Sequence, residues 1–148
     1  MSYIKRIHNE IVDLYTKNGY SIKTEYTEYG VIVTIDKNLK FKLPVSYPFE
    51  KPEVFYNEKP YNQTLRTPSP RFSQIMVKNK IDCFCCATAL CNWIPMYTML
   101  TIINEIKLNK TIKQNIVYHI MINEIDTDKK NMRFNISEIK QLIMGFLI

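Results

Sequence analysis

Four cysteines lie within nine consecutive residues, and no other part of this 148-residue chain concentrates reactive side chains so closely. They are Cys83, Cys85, Cys86 and Cys91. Crosslinks among them would close only very short loops, so they do not form the disulfide framework of a secreted domain. Because a thiolate is both a good nucleophile and a metal ligand, the cluster indicates thiol chemistry or metal binding in a reducing compartment.

Metal binding is one interpretation of this cluster. Cys83 and Cys86 have the spacing of a zinc knuckle, and Cys85 and Cys91 could complete a tetrahedral site. Four ligands from nine consecutive residues would strain that geometry, since structural zinc sites commonly take two pairs from separate loops. The other interpretation is a free thiol that acts as a covalent nucleophile.

A helix and several strands precede the cysteines. Apolar residues at helical spacing predict an amphipathic first helix, with Ser2 as its N-cap and Asn18-Gly19 as its end. The polar residues off this stripe, including Arg6 and Glu10, are expected to face solvent. The apolar stripe comprises Ile4, Ile7, Ile11 and Leu14.

Alternating and β-branched residues predict four strands after this helix, at 20–26, 31–35, 39–43 and 53–56. Three prolines between 44 and 52 predict an extended, rigid connection before the last strand. One helix followed by an antiparallel meander is an α+β plan.

The second half of the chain is predicted to be mainly helical after an irregular stretch at 57–81. A helix is expected to begin near Pro95, with another at 111–125 and a charged turn at 126–131. A last helix is expected to begin at Asn135 or Ser137.

A length of 148 residues is near the usual size of one domain, so a single domain over 1–148 is expected. Hydrophobic residues are 46% and charged residues 23%, near globular averages, which excludes wholesale disorder. The net charge of +6 comes from dispersed lysines rather than a basic stripe, so no nucleic-acid partner is expected. No segment approaches the roughly 20 apolar residues that span a bilayer, so no membrane partner is expected. We therefore expect a soluble cytoplasmic protein, with the nucleus as an alternative compartment.

Three segments, in the same order along the chain, resemble the ubiquitin-conjugating (E2, UBC) family over residues 3–107. Residues 5–11 are similar to the family's Lys-Arg-Ile-x-x-Glu-Leu first helix. Residues 47–54 are similar to its Tyr-Pro-Phe-x-x-Pro-x-Val turn, and 84–95 to its Ile-Cys-x7-Trp-Ser-Pro block. The surrounding cysteines resemble those of the divergent E2-like proteins of large DNA viruses. The resemblance implies a UBC-like α+β domain with an N-terminal helix, a four-stranded antiparallel meander and C-terminal helices.

The resemblance also implies a catalytic thiol that accepts ubiquitin or a ubiquitin-like protein as a thioester and passes it to a lysine amine. Cys85 lies eight residues before Trp93, as in the family, and Cys86 is the alternative. The family's His-Pro-Asn before the cysteine is missing, and Asn79 is the nearest substitute as an oxyanion donor. No cofactor is implied, because ATP is consumed by the activating enzyme (E1).

Partner surfaces follow from the same resemblance. Lys5 and Arg6 match the basic residues that meet the E1 enzyme, and Phe49, Pro95 and Met96 match those that meet a ligase (E3). Two alternatives stay open at this point. One is a catalytically weak or inactive E2-like interaction module, and the other is the same fold with a zinc-binding cysteine cluster.

Overall fold

A computed structural model describes residues 2–65 and 70–131, with side chains described as far as residue 122. These residues form one N-terminal helix, a five-stranded antiparallel sheet and then three further helices. The strands follow one another in sequence order across the sheet. The α+β prediction is therefore confirmed at this level. The predicted last helix near 135–137 lies outside the described residues.

The first helix, α1, runs over Tyr3–Asn18 and confirms the predicted caps. The Ser2 hydroxyl accepts the backbone N–H of Lys5, and Gly19 ends the helix in the left-handed conformation that favours glycine. Ile7 and Leu14 are buried, as the apolar stripe predicts, whereas Ile4 is exposed.

The sheet contains β1 (Ile22–Thr27), β2 (Gly30–Ile35), β3 (Leu39–Pro44), β4 (Glu53–Tyr56) and the two-residue β5 (Lys59–Pro60). The first four confirm the predicted meander, and β5 extends it by one strand. Inward side chains alternate with outward ones along β2 and β3, so one face of the sheet is buried. The inward residues of these two strands are Val31, Val33, Ile35, Leu39, Phe41 and Leu43.

Gly30 begins β2 at a point where the chain admits no side chain. Its φ is 147°, and a Cβ placed there would lie 2.0 Å from the carbonyl oxygen of Leu43. The close pairing of β2 with the end of β3 therefore requires glycine at this position.

The segment at 57–81, predicted to be irregular, instead holds two helices. These are α2 (Tyr61–Thr64) and α3 (Pro70–Lys78). The buried side chains of Phe72 and Met76 lie four residues apart on α3 and hold it against the core. Tertiary packing of this short apolar face stabilises a helix that the flanking prolines obscured.

The last described helix, α4, runs over Met99–Asn131 and corrects two predictions. It begins four residues after Pro95, because the Thr98 hydroxyl accepts the backbone N–H of Thr101 and so forms the N-terminal cap. It also continues through 126–131, where a charged turn was expected. In the described part of the chain, no helix combines the length and apolar character needed to cross a membrane.

Candidate functional site

A tight turn between α3 and α4 presents the cysteines to solvent. The carbonyl of Cys83 accepts the backbone N–H groups of Cys86 and Ala87, at 3.3 and 3.2 Å. We call residues 83–87 the thiol turn. Phe84 is 5% exposed and anchors this turn in the core, while the cysteines on either side of it are exposed. Burial of one aromatic ring thus turns its neighbouring thiols outward.

Three of the four sulfur atoms lie together. The Sγ atoms of Cys83, Cys85 and Cys86 are all within 4.8 Å of one another. The Cys83–Cys85 separation is 2.6 Å and the Cys85–Cys86 separation is 3.6 Å. Cys91 stands apart from this group, and its thiol donates to the carbonyl oxygen of Cys85 at 3.2 Å. The structure therefore brings together three of the four predicted metal ligands.

The neighbouring thiols shift one another's ionisation. The hydrogen bond from Cys85 lowers the pKa of Cys83, because it stabilises the Cys83 thiolate. The same hydrogen bond with Cys83, followed by that with Cys86, raises the pKa of Cys85 to about 11. At neutral pH the predicted nucleophile therefore holds its proton more firmly than an ordinary thiol does.

A buried segment follows the thiol turn and is tied to α4. The carboxylate of Glu105 accepts the backbone N–H of Ala89 at 2.6 Å and the hydroxyl of Tyr61 at 2.9 Å. Burial, followed by the negative charge of Glu105, raises the pKa of Tyr61. Glu105 therefore joins three separate segments: the cysteine loop, α2 and α4.

A second contact, the junction, joins the loop at 45–52 to the loop at 92–98. The indole N–H of Trp93 donates to the carbonyl oxygen of Pro48 at 2.8 Å. The rings of Tyr47 and Tyr97 lie on either side in sequence and contact the indole, with centroids 6.0 and 5.9 Å away. The loop at 45–52 is folded by turn hydrogen bonds such as Phe49 to Ser46, so the prediction of an extended connection is wrong.

The carboxylate of Glu10 holds the junction to α1 and α4. Both of its oxygens accept from the Tyr47 hydroxyl at 2.9 Å, and one also accepts the backbone N–H of Met99 at 3.0 Å. Arg6 pairs with the same carboxylate at 2.9 Å and donates to the carbonyl of Tyr97. The negative charge at the start of α4 is also favourable to the helix dipole.

Two residues of α1 were therefore predicted wrongly as solvent-facing. The side chains of Arg6 and Glu10 are only 25% and 10% exposed. Apart from each other, their partners lie 37 to 91 residues away in sequence, so the helical pattern of α1 could not reveal those contacts. Lys5, the other predicted E1 contact, is exposed.

Apolar side chains project from both loops of the junction. Phe49 and Met96 are each 82% exposed, and Ile94 and Pro95 are also exposed. We call these four residues the apolar patch. Because Trp93 fixes Pro48 beside its own loop, the patch residues flank a single rigid contact. Exposed aromatic and methionine side chains in such a setting are typical of protein-binding anchors.

Asn79, the predicted oxyanion donor, lies at the end of α3. Its side-chain amide donates to the carbonyl oxygen of Ile75 at 2.8 Å. In this arrangement the amide caps the helix, which is a structural use of the group.

A cleft of about 600 Å³ lies between the cysteine loop and α4. Phe84, Thr88 and Asn92 line one side, and Thr101, Glu105 and Asn109 line the other. Its mixed polar and apolar lining provides both van der Waals surface and hydrogen-bonding groups close to the thiol turn.

Sequence reasoning missed Glu105, Tyr47 and Tyr61 as positioning residues. Glu10 and Tyr47 belong to the motifs that carry the family resemblance, but their spacing does not predict that they contact each other. The pairing of Glu105 with Tyr61 has no local signal, because 44 residues separate them.

Comparison with protein-family models gives no match for this chain, and comparisons with curated proteins and with solved structures give none either. The fold and the site define the chain as an α+β domain with a cluster of exposed thiols and an apolar patch beside the junction.

Proposed function

We propose that this domain is an E2-type transferase that carries ubiquitin or a ubiquitin-like protein on Cys85. One observation carries the proposal. The two segments that resemble the family's Tyr-Pro-Phe and Trp-x-Pro motifs meet at the hydrogen bond from Trp93 to Pro48. An exposed thiol, Cys85, lies eight residues before that tryptophan. The order of α1, the antiparallel meander and the later helices is also that expected of a UBC-like domain.

The proposed chemistry consists of two acyl transfers. The Cys85 sulfur attacks the thioester carbon that joins the modifier to E1, a new C–S bond forms, and the E1 thiol leaves with a proton. A lysine amine then attacks the same carbon and forms an amide, and the Cys85 thiol is regenerated. Sulfur suits both steps because it is a good nucleophile and a good leaving group.

Other residues would support these transfers without touching the reacting carbon. Phe84 and the bond between Glu105 and Ala89 hold the cysteine loop against the core. Glu10 fixes the junction, so the apolar patch can bind a ligase as a preorganised surface. Lys5 remains an exposed candidate for E1 contact.

A catalytically weak interaction module is the second candidate, and two observations favour it. The Asn79 amide donates to the carbonyl oxygen of Ile75. The neighbouring thiols of Cys83 and Cys86 raise the pKa of Cys85 to about 11. An oxyanion donor and an easily formed thiolate are what rapid transfer needs. For such a module the apolar patch is the functional surface, and Cys85 does not form a thioester with ubiquitin.

A thioester assay separates the two candidates. The protein is mixed with E1, ubiquitin and ATP and run on a gel with and without reducing agent. We expect a reductant-sensitive adduct in the wild type and in the matched control Cys91→Ala, but not in Cys85→Ala. An adduct that survives in Cys85→Ala but is lost in Cys86→Ala would reassign the nucleophile. No adduct with ubiquitin or any ubiquitin-like protein and its own E1 would favour the interaction module.

A further inference from the structure

The thiol turn gathers more sulfur than a single-nucleophile mechanism uses. Cys83, Cys85 and Cys86 have their Sγ atoms within 4.8 Å of one another, and all three side chains reach solvent. The turn is closed by backbone hydrogen bonds to Cys83 and anchored by buried Phe84. The fold of the loop therefore places the three sulfurs close together.

The spacing of these sulfurs suits coordination of one metal ion. Zinc binds thiolate sulfur at about 2.3 Å, which places sulfurs that share one ion about 3.8 to 4 Å apart. The separations of 2.6 and 3.6 Å lie below that value, and no separation within the group exceeds 4.8 Å, so the three sulfurs are close to the spacing that a shared ion needs.

We propose that Cys83, Cys85 and Cys86 form a three-thiolate site for Zn²⁺, with the fourth position open to solvent. Thiolate ligands select soft ions such as zinc, which prefers four-coordinate geometry. Cys91 is not a ligand of this site, because its sulfur lies outside the group and donates to the Cys85 carbonyl. On binding, each thiol that is still protonated releases its proton to solvent, and no electron is transferred.

The site has a consequence that rests on the proposed function. A zinc ion bound to the Cys85 sulfur withdraws electron density from it and makes it a weaker nucleophile towards the E1 thioester. The zinc-loaded protein is therefore expected to accept the modifier more slowly, and release of the metal restores the nucleophile. Zinc binding and loading with ubiquitin thus compete for the same sulfur.

The first test measures zinc binding alone, without E1 or ubiquitin. The reduced, metal-free full chain is titrated with Zn²⁺ by calorimetry, and bound zinc is counted by elemental analysis. We expect one ion per chain in the wild type and in Cys91→Ala. Each of Cys83→Ala, Cys85→Ala and Cys86→Ala should weaken binding at least tenfold. Circular dichroism checks the fold, which exposed cysteine-to-alanine changes should leave intact.

Two results would overturn the site. One is the absence of stoichiometric zinc in the reduced wild type, and the other is a loss in Cys91→Ala as large as in the other three variants. Substitution with Co²⁺ gives an independent check, because its thiolate charge-transfer absorption should fall in the three ligand variants and persist in Cys91→Ala.

A thioester assay then tests whether zinc slows the loading of Cys85 with ubiquitin. Its free zinc concentrations are the same as those of the binding titration. We expect the thioester to form on metal-free protein, to be suppressed by zinc and to return after chelation. The activating enzyme is charged and chelated beforehand, and its own thioester is followed as a control. Zinc binding with no thioester on metal-free protein would support the site and overturn the transfer proposal. Charging without zinc binding would overturn the site alone.

Discussion

The junction and the thiol turn are anchored in the same way but present different surfaces. Glu10 holds the junction, and Glu105 holds the cysteine loop, each by accepting from one tyrosine hydroxyl and one backbone N–H. At the junction these polar groups form hydrogen bonds with one another and are largely buried. In the thiol turn the sulfurs face solvent and contact one another. The junction therefore holds its two loops in place, whereas the sulfurs of the thiol turn stay accessible for the proposed chemistry.

The largest effect is expected when the junction loses its carboxylate. Glu10→Ala removes the acceptor for Tyr47 and Met99 and leaves half-buried Arg6 without its partner. We expect the free energy of unfolding to fall by about 3 kcal/mol in urea denaturation, since breaking such a network leaves buried groups unsatisfied.

Asp13→Ala is the matched control on the same helix. Asp13 also forms an ion pair four residues along the helix, with Lys17, but both side chains are more than half exposed. Its loss should change the free energy of unfolding by less than about 0.5 kcal/mol. Equal losses in the two variants would remove the distinction between an internal anchor and a surface pair.

A smaller effect is expected at the thiol turn, in reactivity rather than stability. Hydrogen bonds with Cys83 and Cys86 raise the pKa of Cys85 to about 11, so the double variant Cys83→Ala/Cys86→Ala should lower that pKa. In metal-free protein at pH 8, alkylation of Cys85 should become on the order of tenfold faster, because more thiolate outweighs its reduced nucleophilicity.

Mass spectrometry of alkylated peptides gives the rate at each cysteine. Cys91 serves as an internal reference within the same molecule. An unchanged ratio of Cys85 to Cys91 alkylation would show that the neighbouring thiols do not control Cys85.

The smallest effect is expected from removal of single tyrosine hydroxyls. Tyr47→Phe should lower the free energy of unfolding by about 1 kcal/mol at neutral pH. Burial, followed by the charge of Glu10, raises the folded-state pKa of Tyr47 above its unfolded value of about 10. Its contribution is therefore fully present below about pH 10 and is lost as the pH rises above that value, since the unfolded state then releases a proton first.

Urea denaturation between pH 8 and 11 tests this sign. The difference between wild type and Tyr47→Phe should shrink above about pH 10, while the exposed Tyr26→Phe control should follow the wild type throughout. A difference that grows with pH would contradict the direction of the pKa shift.

Local sequence signals predicted the first half of the fold well. The Ser2 cap, the Gly19 end and the alternating strands depend on neighbours within a few residues, and the structure confirms them. The α3 helix was missed because its apolar face is short and its first residue, Pro70, was interpreted as a loop signal. A proline at the first helical position is compatible with a helix, but packing of Phe72 had to decide the outcome.

The candidate site depends on contacts that the sequence does not encode locally. Spacing identified the cysteines and the register of Cys85 with Trp93. It could not show which sulfurs converge, because that depends on Phe84 turning inward while its neighbours turn outward. It also could not predict that Glu10 faces inward, since Tyr47 and Met99 reach it only in the folded chain.

Trp93 is the single tryptophan of the chain, and its place at the junction has a practical consequence. Indole fluorescence responds to hydrogen bonding and to water near the ring. The emission of this protein therefore reports on the contact with Pro48 and on whatever covers the neighbouring Phe49 and Met96. The molecule carries a built-in optical reporter at the surface where a ligase is proposed to bind, so docking there can be followed without any attached label.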